Sequence, residues 1–153
     1  TYMSQQMTDP FIWENEEWIF LRADNIYSLF NPESFGLTPT EPHTACWKGF
    51  IAHFKVSDND LYLHHLQVYC KNGKYPPING ITPKKDNEFM LYKNLNLKLS
   101  SYSGTIIIGK EMYNNFMGRA FTGPHSYSMT LELDVQNGKI ISSKDTSGTY
   151  TGF

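Results

Sequence analysis

The sequence predicts a mainly β protein, an antiparallel sandwich or open barrel with one short helix near the N-terminus. Three observations lead there. Several short runs alternate apolar and polar residues, the period of a strand with one face on a core. Tight clusters of Asn, Asp, Glu and Gly separate those runs, as hairpin turns do. The aromatic share is 15%, and aromatics favour pleated surfaces. At 153 residues, with 40% hydrophobic and 18% charged residues, the chain is long enough to bury a core without staples. Residues 1–9 show no period and are expected as a loose lead. Residues 10–153 are expected as a single β domain.

The first elements are a short strand over 10–13, a polar turn at Glu14-Asn15-Glu16 and a second strand over 17–21, with Trp13 and Trp18 covering one end of the core. Asp24 is read as the cap of a short helix with Ile26, Leu29 and Phe30 at helical spacing, ended by Asn31-Pro32. Residues 31–42 hold Pro32, Pro39, Pro42 and Gly36 and read as a loop with polyproline character.

The central feature is a hairpin. One strand runs over 46–56, the turn is Ser57-Asp58-Asn59-Asp60, and the return strand covers 61–69. Pairing Val56 with Leu61 sets Phe54 opposite Leu63 and Ala52 opposite His65. Phe50, Ala52, Phe54, Val56, Leu61 and Leu63 then face the core. Ile51, His53, Lys55, Tyr62, His64 and Leu66 take the other face, with His53 opposite His64. Cys46 and Cys70 fall one step out of opposition, so free thiols are expected.

Residues 71–88, with three prolines and two Asn-Gly pairs, read as a long irregular insertion. Strands follow over 89–99 and 102–108, then a turn at Gly109-Lys110-Glu111 and a loop over 112–126. The last hairpin alternates Met129, Leu131, Leu133 and Val135, turns at Asn137-Gly138 and returns through Lys139-Ile140-Ile141. An edge strand is expected over 149–151. The count is about eight strands.

TACWKGFIAHFKV followed by LYLHHLQV resembles a small bacterial family with a Trp-Arg-Gly-Tyr-like strand and then Leu-Tyr-Leu. The matching residues are Thr44, Ala45, Trp47, Lys48, Gly49, Phe50, Ala52, Leu61, Tyr62 and Leu63, with Lys48 in place of the usual Arg. Trp13 to Trp18 corresponds to the family's early turn, and Ser101-Tyr102-Ser103-Gly104 echoes its Trp-Phe-Ser-Gly strand. The resemblance covers the first half of the chain. It implies a fold and a bacterial or phage origin, not a reaction.

A net charge of −2 argues against a partner held by a basic surface, so no nucleic acid is expected. No apolar run approaches the ~20 residues that span a bilayer, and no signal peptide opens the chain. A cytoplasmic protein, possible as a homo-oligomer, is the expectation. No phosphate-binding loop or dinucleotide fingerprint is present. His53 and His64 as cross-strand neighbours supply two zinc ligands but no third, so no metal and no cofactor are expected. Cys46 beside His43 lacks any local catalytic motif. A looser set, Lys48, Arg119 and His125 with Trp47, Tyr62, Tyr102, His53 and His64, offers cations and aromatic faces for a small anionic ligand.

Three functions are compatible with these features. The first is a binding protein without catalysis, an inhibitor or immunity-type protein neutralising a toxin or another partner protein. The second sequesters a nucleotide-like anionic ligand. The third is an enzyme with an unrecognised site.

Overall fold

Five two-residue turns or bends built on left-handed Asn, Asp, Glu or Gly set the strand order. The computed structural model describes residues 4–152. β1 (Asp9–Trp13) and β2 (Glu16–Ala23) meet through Glu14 and Asn15, both at positive φ. β3 (Phe50–Ser57) and β4 (Asp60–Val68) meet through Asp58 and Asn59 in the same conformation. β5 (Lys84–Asp86) and β6 (Phe89–Tyr92) turn at Asn87. β7 (Leu97–Lys98) is bounded by Asn94 and Asn96, also left-handed. After β8 (Gly104–Met112) come β9 (Tyr127–Gln136) and β10 (Lys139–Asp145), joined by Asn137-Gly138. Paired positive φ values give the turn a twist that matches the strands it joins.

The strands form one mixed ten-stranded sheet in the order β10-β9-β8-β2-β1-β3-β4-β6-β5, with β7 on β4. The pairing of β1 with β3 is parallel, through Phe11 with Phe54 and Ile12 with Lys55, and the other strand pairs are antiparallel. The sheet curls until β10 touches β4, where Lys139 pairs with Asp60. Leu61 N–H donates to the Gly138 carbonyl (2.9 Å) and Ile140 N–H to the Asn59 carbonyl (2.8 Å). The Asp60 carboxylate takes both Lys139 (2.8 Å) and Lys98 (3.2 Å), and these two contacts hold it below the usual carboxylate range. The result is an open barrel made from a single sheet. Its interior holds Phe11, Trp13, Trp18, Phe54, Leu61, Leu63, Leu66, Val68, Tyr92, Tyr102, Ile106, Ile108 and Leu133.

The structure corrects several expectations. β4 carries a β-bulge at His64. Phe54 pairs with Leu63, but His53 then pairs with His65 and Ala52 with Leu66. The extra residue shifts the alternation by one, so Leu66 and Val68 turn into the core while His64 and His65 both stay outside. The helix is Ile26–Leu29, and Asn25, not Asp24, stands at its cap, without a side-chain bond. Asp24 instead accepts the Tyr102 hydroxyl on its carbonyl (2.7 Å) and Thr105 N–H on its carboxylate (3.3 Å). Within the 31–42 loop, Pro32–Phe35 form a 3-10 turn capped by Asn31. The run over 89–99 breaks into β6 and β7 at its two left-handed asparagines. β8 passes through Gly109-Lys110-Glu111 instead of turning: its register with β9 is the same at Lys110–Met129 and at Met112–Tyr127, with Glu111 at φ 62° inside the strand. The 112–126 loop contains two further 3-10 turns, and 149–151 form no strand.

The 71–88 segment is not irregular throughout, since β5 lies within it and pairs with β6. Ile78 and Ile81 bridge each other, Tyr92 donates to the Pro76 carbonyl (2.7 Å), and Asn79 donates to the Leu95 carbonyl (2.8 Å). Cys46 belongs to a small cluster with Ile51 and Phe89 and Cys70 to the main core, and both are free thiols. Residues 1–3 of the expected lead lie outside the described residues, while 4–8 bond to the 43–49 loop: Met7 N–H donates to the Ala45 carbonyl (2.8 Å), and Gln6 bonds both the Thr44 carbonyl (2.8 Å) and Trp47 N–H (2.9 Å).

Gly49 closes that loop at φ +79°, and a Cβ there would lie 2.6 Å from the Thr40 carbonyl oxygen. Gly73 has a similar φ of +69° but open space around it. Gly49→Val is therefore expected to cost about 3 kcal/mol or more, and Gly73→Ala only about 1 kcal/mol. Urea unfolding of the two variants checks this, and equal losses would refute the role of the close approach.

Candidate functional site

Asp9 is a buried carboxylate, 8% exposed, at the first position of β1. A buried charge is costly unless it is both paired and hydrogen-bonded. Asp9 is both. Its Oδ1 accepts the backbone N–H of Ala52 on β3 (2.9 Å), and its Oδ2 meets the ammonium of Lys48. Lys48 comes from the 43–49 loop, held in place by Gly49 and by residues 4–8. Its ammonium also lies 4.4 Å from the centre of the Phe50 ring. Here the carrier of the resemblance, Trp47-Lys48-Gly49-Phe50, meets the strand that joins the two halves of the sheet.

Beneath this ion pair lies a cavity of about 250 Å³. Phe20 of β2 and Phe50, Ala52 and Phe54 of β3 line it, because inward positions alternate along each strand. The short helix supplies Ile26 and Leu29, with Phe30 just after it. Phe20 and Phe54 approach to 5.4 Å between centroids, and Phe30 meets Phe50 edge-on at 5.5 Å. Lys48 and Asp9 are the charged groups on this lining.

Across Asp9 and Phe20 a second depression, about 290 Å³, opens between Met7, Ile19, Phe121 and Tyr127. At this end of the barrel the large apolar side chains are exposed. Trp47 packs edge-on against Phe121 at 5.8 Å while 38% and 59% of the two residues remain accessible. Met117, at 60%, belongs to the same loop as Phe121, and that loop is tied to the N-terminal segment by Gly118 N–H donating to Gln5 (2.7 Å).

A separate groove of about 420 Å³ runs over the outer face of β1 and β3–β4, lined by Pro10, Ile12, Glu17, His53, Lys55, His64 and His65. The bulge makes it a histidine groove. His64 and His65 stack at 3.9 Å, and His53 lies 5.7 Å from His65. Asp86 accepts from Gln67, whose Oε1 faces His53 Nε2 (2.8 Å), so Gln67 and Asp86 orient His53. Asn94 N–H donates to His65 Nδ1 (2.9 Å), which leaves the proton of the neutral ring on Nε2. Burial first, then the charges of His64, His53, Lys93 and Lys55, push His65 down to about 4. Among the described residues no group of three or more His, Cys, Asp or Glu is placed to hold a metal ion.

The residues singled out in the sequence thus divide among six places. Lys48 borders the phenylalanine cavity. Trp47 is on the exposed face. His53 and His64 are in the groove, while Tyr62 stands outside it, opposite Lys55 on the outer face of β4. Arg119 lies over the Phe116 ring (5.1 Å), and Phe116 meets His125 edge-on (5.1 Å). Tyr102 is wholly buried and structural, its hydroxyl pushed up to about 12 by burial. Among the described residues these cations and aromatics do not line one common cavity. Asp9, Phe20, Phe121 and His65 were missed. Asp9 had a signal, a carboxylate directly before an alternating apolar run, but it stood inside the segment read as a lead. The His43 ring bonds Ala45 N–H and Glu88, while the Cys46 thiol turns to the Phe50 carbonyl and is raised chiefly by burial. No helix of the described residues is long and apolar enough to cross a membrane.

His65 gives a pH prediction with a defined sign. Its folded value, about 4, lies below the unfolded value near 6.5, so the unfolded chain takes up the proton first. The stability that comes from keeping the ring neutral is complete above about pH 6.5 and is lost as pH falls toward 4, by at most about 3 kcal/mol. His65→Gln should flatten that part of the stability–pH curve measured by urea unfolding; an unchanged curve would contradict it. Compared with family models, curated proteins and solved structures, the chain matches none, so its function is read from the arrangement of these side chains.

Proposed function

We infer that the protein is a binding protein without catalysis of its own, an inhibitor or immunity-type protein that docks a partner protein on the face carrying Trp47, Phe121 and Met117. The observation behind this reading is the edge-on Trp47–Phe121 pair, with both rings left accessible beside an exposed Met117. Trp, Met and Phe are enriched at the centres of protein interfaces, where a few large side chains supply most of the affinity. These side chains are also held in place before binding. Gln5 and Gln6 pin both loops of the face, which lowers the ordering cost on association. The face is aromatic rather than acidic, so burial and not charge steering is the main source of affinity, whatever the overall −2 adds to the approach of a basic partner. Both thiols are buried with raised pKa values, which suits a binder better than a thiol enzyme.

A small anionic ligand is the second reading, and the histidine groove favours it. His53, His64 and Lys55 line a surface depression of suitable size with Glu17 opposing them, and a second depression on the other side of His53 and His65 carries Lys93 and Asp86. The Lys48 cavity does not serve this reading, because Asp9 already neutralises the lysine.

Trp47→Ala and Phe121→Ala should each weaken a captured toxin-like partner at least tenfold with an unchanged melting temperature. Ile141→Ala, an exposed apolar residue on β10, should leave the affinity as it is. Surface plasmon resonance with the partner reads all three. Full affinity in both aromatic variants would overturn the reading. Binding of inorganic phosphate that depends on His53 and Lys55 would shift the balance to the second.

A further inference from the structure

We propose that the cavity walled by Phe20, Phe30, Phe50 and Phe54 is a binding site for a small uncharged aromatic molecule with one hydrogen-bond acceptor, which Lys48 would receive at the mouth. This is independent of the partner face.

The walls argue for the aromatic body. Protein interiors close their gaps to nearly crystalline density, and voids larger than a water molecule are few. Four phenylalanines leave a half-open apolar cleft of about 250 Å³ unfilled directly beside a core in which Phe11, Leu61, Leu63 and Ile108 have no accessible surface. An apolar cavity of about 150 Å³ is enough to take up benzene. The volume here accommodates a substituted ring, and is too small for a nucleotide with its sugar and phosphate.

The mouth argues for the acceptor and against a charge. Asp9 spends one oxygen on Ala52 N–H and the other on Lys48. The two charges compensate each other, so the rim offers no net field to an anion, and Asp9 itself would repel one. Lys48 is nonetheless half exposed at its side chain (42%), and an ammonium has three protons, of which the contact with Asp9 uses one. A carbonyl oxygen at the mouth completes that donor without disturbing the pair. The entrance is formed by the short helix, where Ile26 lines the cavity yet stays 42% exposed. A substitution at Ile26 therefore changes access without emptying the core.

Calorimetry and amide NMR on the whole chain test this with acetophenone, ethylbenzene and benzoate as probes. Acetophenone should shift the resonances of Leu29, Phe50 and Ala52. It should bind at least tenfold more tightly than ethylbenzene, which lacks the acceptor, and than benzoate, which brings a charge beside Asp9. Ile26→Trp should abolish binding with an unchanged melting temperature. No shifts at these residues up to millimolar acetophenone, or shifts confined to another part of the sheet, would overturn the site. Benzoate or ethylbenzene binding as tightly as acetophenone would overturn the class of ligand assigned to it.

Discussion

The fold depends on the carboxylate of Asp9. At the centre of the sheet β1 meets β2, and β3 meets β4, through local hairpins, which a short turn closes at small entropic cost, and the long-range join of β2 to β8 is antiparallel. The join of β1 to β3 is different. It is parallel, it has only two paired positions, and nearly forty residues of chain separate its strands. β1 carries β2, β8, β9 and β10 on one side, and β3 carries β4, β6 and β5 on the other. Asp9 extends this short ladder by accepting Ala52 N–H, and its second oxygen anchors the loop that precedes β3. One side chain thereby ties strand, strand and loop at one point.

A second aspartate acts at the opposite end of the same strands. Asp60 receives Lys98 and Lys139 where the β3–β4 turn meets the β9–β10 turn, and Gly138 lets the β9–β10 turn lie against the segment that follows β7, since a Cβ there would lie 2.6 Å from the Leu99 carbonyl. The two sites differ in their partners. Asp60 is clasped by two exposed lysines on a seam whose main strength is backbone hydrogen bonds and the apolar interior, and its side chain is about as covered as that of Asp9 (13% against 11%). Asp9 is buried, and its partners are what make a charge tolerable there. That burial also shapes the functional end of the barrel. It holds Lys48 over the phenylalanine cavity and, one residue away, presents Trp47 to solvent beside Phe121.

Local features were legible in the sequence. The Glu14-Asn15, Asp58-Asn59 and Asn137-Gly138 turns were readable because left-handed conformations select those residues, and the alternation around them set most strands. What escaped has a common cause, since none of it is periodic or local. The bulge at His64 adds one residue with no compositional mark, and it moved Leu66 into the core and exchanged His64 for His65 opposite His53. Glu111 reads as a turn residue yet lies inside β8. Asp9 looks like part of a polar lead until the parallel pairing gives it partners about forty residues away. Of the candidate site residues, Lys48 and Trp47 stand at one end of the barrel because they adjoin in sequence. Arg119 and His125 instead flank Phe116, and Tyr102 is a core residue.

The partner face and the phenylalanine cavity both presuppose that Asp9 sets the geometry of that end. The most direct measurement is the unfolding free energy of Asp9→Ala from urea titration followed by circular dichroism. The substitution leaves the Ala52 N–H without its acceptor and Lys48 without its counter-charge, and the account predicts a loss of about 3 kcal/mol. A loss under about 0.5 kcal/mol, the range of an ordinary surface substitution, would contradict it.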